Sequence, residues 1–199
     1  MNDHERPTSD FAKRNGFVLW FTGLSGAGKT TISNIVEPEL ERRGLVVDHL
    51  DGDIVRTHLS KGLGFSKEDR DVNIARIAWV ASRVARAGGA VIVSAISPYE
   101  EARRQARQLV EQHAPFVEIH VATPIEECAR RDPKGLYAKA FAGELQDFTG
   151  VSAPYEAPAQ PEIRLETVGS TPTEAADLVL AYLADIHLIP AEVTLDDSH

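Results

Sequence analysis

The sequence predicts an α/β domain built on a five-stranded parallel sheet with helices on both faces. Three observations carry this. Short apolar runs alternate with helical hydrophobic patterns along the chain, the signature of successive βαβ units. Ala90 to Ile96 reads as an apolar run, which suits a central parallel strand buried on both sides. Phe17 to Thr22 leads directly into Gly23-Leu24-Ser25-Gly26-Ala27-Gly28-Lys29-Thr30. This is G-x-x-x-x-G-K-[ST] between a strand and a helix, so the sheet is expected to be of the P-loop NTPase type.

Residues 1–15 are polar and mixed in charge and read as an arm preceding the domain, which is expected over residues 16–188, with a tail over 189–199. The first strand covers Phe17 to Thr22. The helix after the P-loop places Ile32, Ile35, Val36 and Leu40 on one face and stops at Gly44. Pro38 lies inside it and predicts a kink, because its ring nitrogen cannot donate. A second strand, Leu45 to Leu50, delivers Asp51-Gly52-Asp53 at its C-terminal end. Ser66 caps the next helix, whose inward face is Ile77, Val80, Ala81 and Val84. The third strand is Ala90 to Ile96. A helix with Ala102, Ala106, Leu109 and Val110 inward follows, then a strand from Phe116 to Val121 and a short helix. The last strand is Glu162 to Val168, and the final helix carries Ala176, Val179, Leu180, Leu183 and Ile186. Between them, residues 131–161 are rich in Gly and Pro without periodicity. A connection this long reads as a lid.

Bulk properties narrow the function classes. The 199 residues carry a formal charge of −9, which argues against nucleic acid or an anionic membrane as partner. No apolar stretch approaches the ~20 residues of a membrane span, and residues 1–15 lack the apolar core of a signal peptide. Cys128 is the single cysteine, which fits a reducing cytoplasm. The seven histidines show no metal-ligand spacing.

The P-loop assigns chemistry to its residues. Gly23, Ser25, Gly26, Ala27, Gly28, Lys29, Thr30 and Thr31 are expected to bind ATP. Backbone N–H groups and the helix N-terminus would cradle phosphate, Lys29 would reach the β- and γ-phosphates, and the Thr30 hydroxyl would hold Mg²⁺. Across the cleft, Asp51-Gly52-Asp53 with Arg56 places two carboxylates and a guanidinium where phosphoryl transfer to a hydroxyl needs them. Asp53 is the candidate on the acceptor side; Asp51 would support the loop or a metal-bound water. Arg70 and Asn73 share a helix face and with Arg56 could hold an anionic acceptor. Their bland reading is a solvated face. Ser97 has two readings. Ser97-Pro98-Tyr99-Glu100 repeats the form of the segments at Thr123 and Thr171, which is that of a capping box with Pro at the first helical position; its place on the C-terminal sheet edge also allows a chemical role. The guanine-reading N-K-x-D stretch is absent, so a small-molecule kinase is favoured over a signalling switch. A non-catalytic nucleotide-binding module is the alternative from another class.

Taken together, the P-loop, Leu50-Asp-Gly-Asp53 with Arg56, Leu63-Gly-Phe-Ser66, Asp69-Arg70, Asn73-Ile74 and Ile96-Ser-Pro-Tyr99 resemble the adenylyl-sulfate kinase family. The resemblance continues through Arg131-Asp132, Lys134-Gly-Leu-Tyr137, Phe148-Thr-Gly150 and Pro154-Tyr-Glu156, and covers roughly Phe17 to Ile186. It implies phosphorylation of the 3′-hydroxyl of adenosine 5′-phosphosulfate (APS) by Mg²⁺ and ATP, giving 3′-phosphoadenylyl sulfate (PAPS). It also implies that Asp51, Arg56, Arg70, Asn73, Ile96, Lys134 and Leu136 contact APS and that Phe65 and Phe148 sandwich its adenine. Asp53 would be the acceptor-side carboxylate, and Ser97 the serine that some members carry phosphorylated. A homodimer, a cytoplasmic location and a link to ATP sulfurylase are further implications.

Overall fold

β1 (Phe17–Thr22) is fully buried along its length, and the rest of the chain is layered on it. The computed structural model describes residues 16–190. After β1 come α1 (Lys29–Arg42), β2 (Val47–Asp51), α2 (Gly52–His58), α3 (Lys67–Arg86) and β3 (Ala90–Ser94). Then follow α4 (Glu100–Glu111), β4 (Phe116–Val121), α5 (Ile125–Arg131), α6 (Leu136–Phe141), β5 (Ile163–Leu165) and α7 (Pro172–Asp185). The five strands run parallel in the order β2-β3-β1-β4-β5. β1 is therefore central, and the chain leaves it between β3 and β4, where the order reverses. Such a switch point opens a ligand crevice at the C-terminal strand ends.

Alternation along β1 builds two cores. Phe17, Leu19 and Phe21 face a cluster that includes Ile32, Val36 and Leu40 of α1 and Val179 and Leu183 of α7. Val18 and Trp20 face Ile77 and Ala81 of α3 and Ala106 and Val110 of α4. Each large side chain so buried is worth about 1.5–3 kcal/mol over exposure, and both faces of the strand gain it.

Several boundaries shift from the sequence expectation. β2 begins at Val47, because Gly44 turns in the left-handed region at φ 77° and Val46 stays exposed. β3 ends at Ser94 before the turn at Ser97. β5 is three residues long, and Val168, expected inside it, is exposed. Ile186 is the C-cap of α7 and partly exposed, where a core position was expected. α1 runs as one helix through Pro38. Two helices escape the periodicity: α2, and α6 within the segment read as a lid. Both are too short to show a repeat.

Of the three hydroxyl-Pro-x-Glu segments, only the one at Thr171 forms the expected cap. Thr171 Oγ1 accepts from Glu174 N, and the Glu174 carboxylate accepts from Thr171 N. At Thr123 the hydroxyl instead donates to Ala27 O at 2.7 Å and pairs with Thr167 Oγ1 at 2.5 Å, while Pro124 takes the N-cap place. At the opposite edge of the sheet, before β1, Gly16 and Ile186 line a second cavity of 630 Å³ with Arg107, Glu162 and Tyr182.

Candidate active site

The loop from β1 to α1 is shaped by its glycines. Gly26 and Gly28 have φ of 73° and 109°, a region that side chains disfavour. Gly28 is the N-cap of α1, no side chain caps that end, and its first turn holds no acidic residue. The N–H groups and positive dipole end of α1 are thus presented to an anion. Lys29 is folded along the loop, its Nζ donating to Gly23 O at 2.9 Å and Leu24 O at 2.8 Å. Thr30 Oγ1 donates to Asp51 Oδ2 at 2.7 Å, joining α1 to the end of β2.

This loop forms one wall of a cavity of 460 Å³. Lys29, Arg56, Arg70, Arg131 and Lys134 line it, against Asp51 and Asp132. Local cations outnumber carboxylates in a chain whose formal charge is −9, which is what a polyanionic ligand requires. Arg70 is nearly buried, and that burial lowers its pKa. Its guanidinium donates to Phe65 O at 2.8 Å, to Thr149 Oγ1 at 2.9 Å and to Asp147 O. One residue of α3 thereby holds both the Phe65 loop and the 131–161 segment.

That segment is docked on the body in this structure. Tyr137 Oη donates to Ser25 O at 3.0 Å, touching the P-loop directly. Glu156 N donates to Pro98 O at 2.8 Å, and the Glu156 carboxylate accepts from Glu100 N at 2.7 Å. Burial pushes the neighbouring Tyr155 hydroxyl up to about 12, so it stays protonated and pairs with Thr22 Oγ1 at 3.0 Å.

Ser97 is not a helix cap. Tyr99 occupies the N-cap of α4 without a side-chain bond, and Glu156 serves that helix end instead. Ser97 has φ 41°, which turns its hydroxyl inward, where it accepts from Trp20 Nε1 at 3.1 Å. The buried Arg103 donates to the Ser97 carbonyl at 2.8 Å and is paired with Glu118 at 2.9 Å.

The family model described as adenylylsulphate kinase matches residues 15–166. The chain belongs to the adenylylsulphate kinase family. An adenylyl-sulfate kinase of a Picosynechococcus species is 51% identical over 177 residues, covering 89% of this chain and 98% of that one. The bifunctional enzyme NodQ of a Rhizobium species is 54% identical over 166 residues, 83% of this chain but 26% of NodQ. The structure of the Mycobacterium tuberculosis APS kinase CysC in complex with AMPPNP and APS superposes with a TM-score of 0.82 at 44% identity, covering 85% and 98% of the two chains.

Within the family site, the structure brings most of the expected residues together. Ser25, Gly26, Gly28, Lys29, Thr30, Thr31, Asp51, Arg56, Arg70, Asn73, Ile96, Ser97 and Lys134 share the cavity lining. Gly23, Ala27, Phe65, Leu136 and Phe148 are not among its lining residues. Phe65 is 56% exposed, with the Arg56 guanidinium 4.1 Å from its ring centre. Phe148, the expected second half of an adenine sandwich, meets the Tyr137 ring edge-on at 5.0 Å. The Asp53 side chain lies outside the described residues. Sequence reasoning left out Ser94, Pro98, Arg131 and Tyr137 as lining residues. Arg131 had a signal, as a cation at the end of α5 beside Asp132-Pro133-Lys134. Ser94, inside an apolar strand, had none.

Proposed function

We propose that the chain acts as an adenylyl-sulfate kinase through these residues: it transfers the γ-phosphoryl group of ATP to the 3′-hydroxyl of APS, giving PAPS and ADP. The observation that carries this is the meeting of the P-loop with a cationic acceptor cavity at the β1 switch point, in a chain 44% identical to an APS kinase solved with AMPPNP and APS. Backbone N–H groups of residues 25–30 and Lys29 hold the ATP phosphates. Arg56, Arg70 and Lys134 neutralise the phosphate–sulfate group of APS, and Asn73 orients it. The exposed Phe65 ring offers the adenine a flat surface. Asp53 takes the proton of the 3′-hydroxyl as that oxygen bonds to phosphorus and the bond from phosphorus to the β-phosphate oxygen breaks.

Mg²⁺ fits the donor set: the Thr30 hydroxyl and Asp51 carboxylate are hard oxygen donors meeting at one point. No group of three or more His, Cys, Asp or Glu that could hold a metal occurs among the described residues, so the ion would depend on the ATP phosphates. When bound it supplies charge neutralisation at the β- and γ-oxygens. Homodimer formation, cytoplasmic location and a link to ATP sulfurylase belong to the same proposal. The bifunctional relatives support the last, and no described helix is long and apolar enough to cross a membrane.

The test is ATP turnover with and without APS, with PAPS detected directly and other hydroxylated acceptors run alongside. APS-dependent PAPS formation is expected; ADP release with a different acceptor and none with APS would overturn the reading.

A further inference from the structure

Two residues before Asp51, on the same face of β2, lies His49. Its Nδ1 is 2.9 Å from Glu37 Oε2 of α1. Its Nε2 is 3.1 Å from Ser94 Oγ of β3 and 3.2 Å from Ser33 Oγ of α1. The two hydroxyls are 3.0 Å apart, and Ser33 Oγ donates to Thr30 O at 3.2 Å. A carboxylate only accepts, so Nδ1 carries the proton toward Glu37; on the other side Nε2 faces both hydroxyls, the Ser94 hydroxyl donates to Ser33 Oγ, and the Ser33 proton goes to Thr30 O. Ser33 is fully buried, Ser94 is 3% exposed, and the His49 side chain 11%.

This network spans α1, β2 and β3 at their phosphate-facing end, where Asp51 and Ser94 are partners in strand register. It ties Thr30 to β2 a second time. Asp51 holds the Thr30 side chain, while His49, through Ser33, holds its carbonyl. Apolar side chains would fill this space at lower desolvation cost. A fully paired polar network instead fixes one geometry.

We propose that His49, oriented by Glu37, is a positioning residue for the first turn of α1, keeping the Thr30 hydroxyl where it serves the nucleotide-bound Mg²⁺. This rests on the P-loop reading above, with Thr30 as the Mg²⁺ residue.

The experiment measures Mg·ADP affinity by calorimetry, the KM values for ATP and APS, and the urea midpoint for His49→Leu, His49→Gln, Ser33→Ala and the wild type. Loss of an outer-shell partner costs ~10–100-fold. His49→Leu should therefore weaken Mg·ADP by about 10-fold or more and raise KM for ATP with KM for APS little changed. His49→Gln, whose amide can still reach Ser33 and Ser94, should recover most of that loss. Should His49→Leu fail to fold, Ser33→Ala removes only one oxygen and is expected to show the same loss in smaller degree. Wild-type Mg·ADP affinity in His49→Leu, or in Ser33→Ala where it must stand in, would overturn the proposal, whatever the urea midpoint does. A wild-type chain that binds Mg·ADP but makes no PAPS would instead count against the kinase reading, and the binding comparison would still decide the role of His49.

Discussion

Ser97→Ala removes the acceptor of the Trp20 indole N–H, and the cost can be worked from the structure. Trp20 is fully buried and Ser97 is 2% exposed, so water does not replace the lost 3.1 Å bond. An orphaned buried donor costs about 1–3 kcal/mol, which for a chain of this size corresponds to a fall in Tm of roughly 2–12 °C. Trp20→Phe removes the donor and adds its own packing loss. With neither polar atom present, no orphan is left. The double variant should therefore be more stable than the sum of the two single losses by about 1 kcal/mol or more. Urea unfolding of the four proteins measures this. Losses that add to within ~0.5 kcal/mol would show that the Trp20–Ser97 bond does not hold the hydroxyl, and would refute the account of how Ser97 is oriented in the cavity.

Lys29→Ala is expected to lower PAPS synthesis by 10²-fold or more, on the order of losing one transition-state charge contact, with substantial residual turnover speaking against this loop as the catalytic one. Phe148→Ala should raise KM for ATP and APS together, because the ring braces Tyr137, whose hydroxyl holds Ser25 O; a rise confined to APS would refute that bracing role and mark the ring as half of the adenine sandwich. His120 is buried, which lowers its pKa to about 4, and its Nδ1 faces Arg164 Nη1 at 3.2 Å. The unfolded chain therefore binds the extra proton first, and stability should fall by up to ~3 kcal/mol as pH drops from about 6.5 to 4. His120→Gln should flatten that part of the stability–pH curve, and an unchanged slope would exclude His120 as its source.

The parts of this molecule that were legible in the sequence are those set by local rules. The P-loop fixed its own context, and Phe116–Val121 was bounded correctly because Pro115 stands before it and Thr123-Pro124 closes it. The repeated hydroxyl-Pro-x-Glu form shows where such rules stop. Thr171 caps its helix in solvent, where the local bond has no rival. Thr123 and Ser97 lie under neighbouring segments, and Ala27 O and Trp20 Nε1 draw their hydroxyls away. No local pattern announces these partners, which are 96 and 77 residues distant. The same holds for His49, whose partners Glu37 and Ser94 come together only once three elements have packed.

The cavity shared by Gly16 and Ile186 lies at the far end of the sheet from the phosphate loop. Both residues lie at the edge of the sheet from which β1 departs, and its six residues carry the chain about 20 Å before the phosphate loop begins. Whatever is bound at the one cavity is thus screened from the other by the buried length of the central strand, so the two surfaces can change independently of each other.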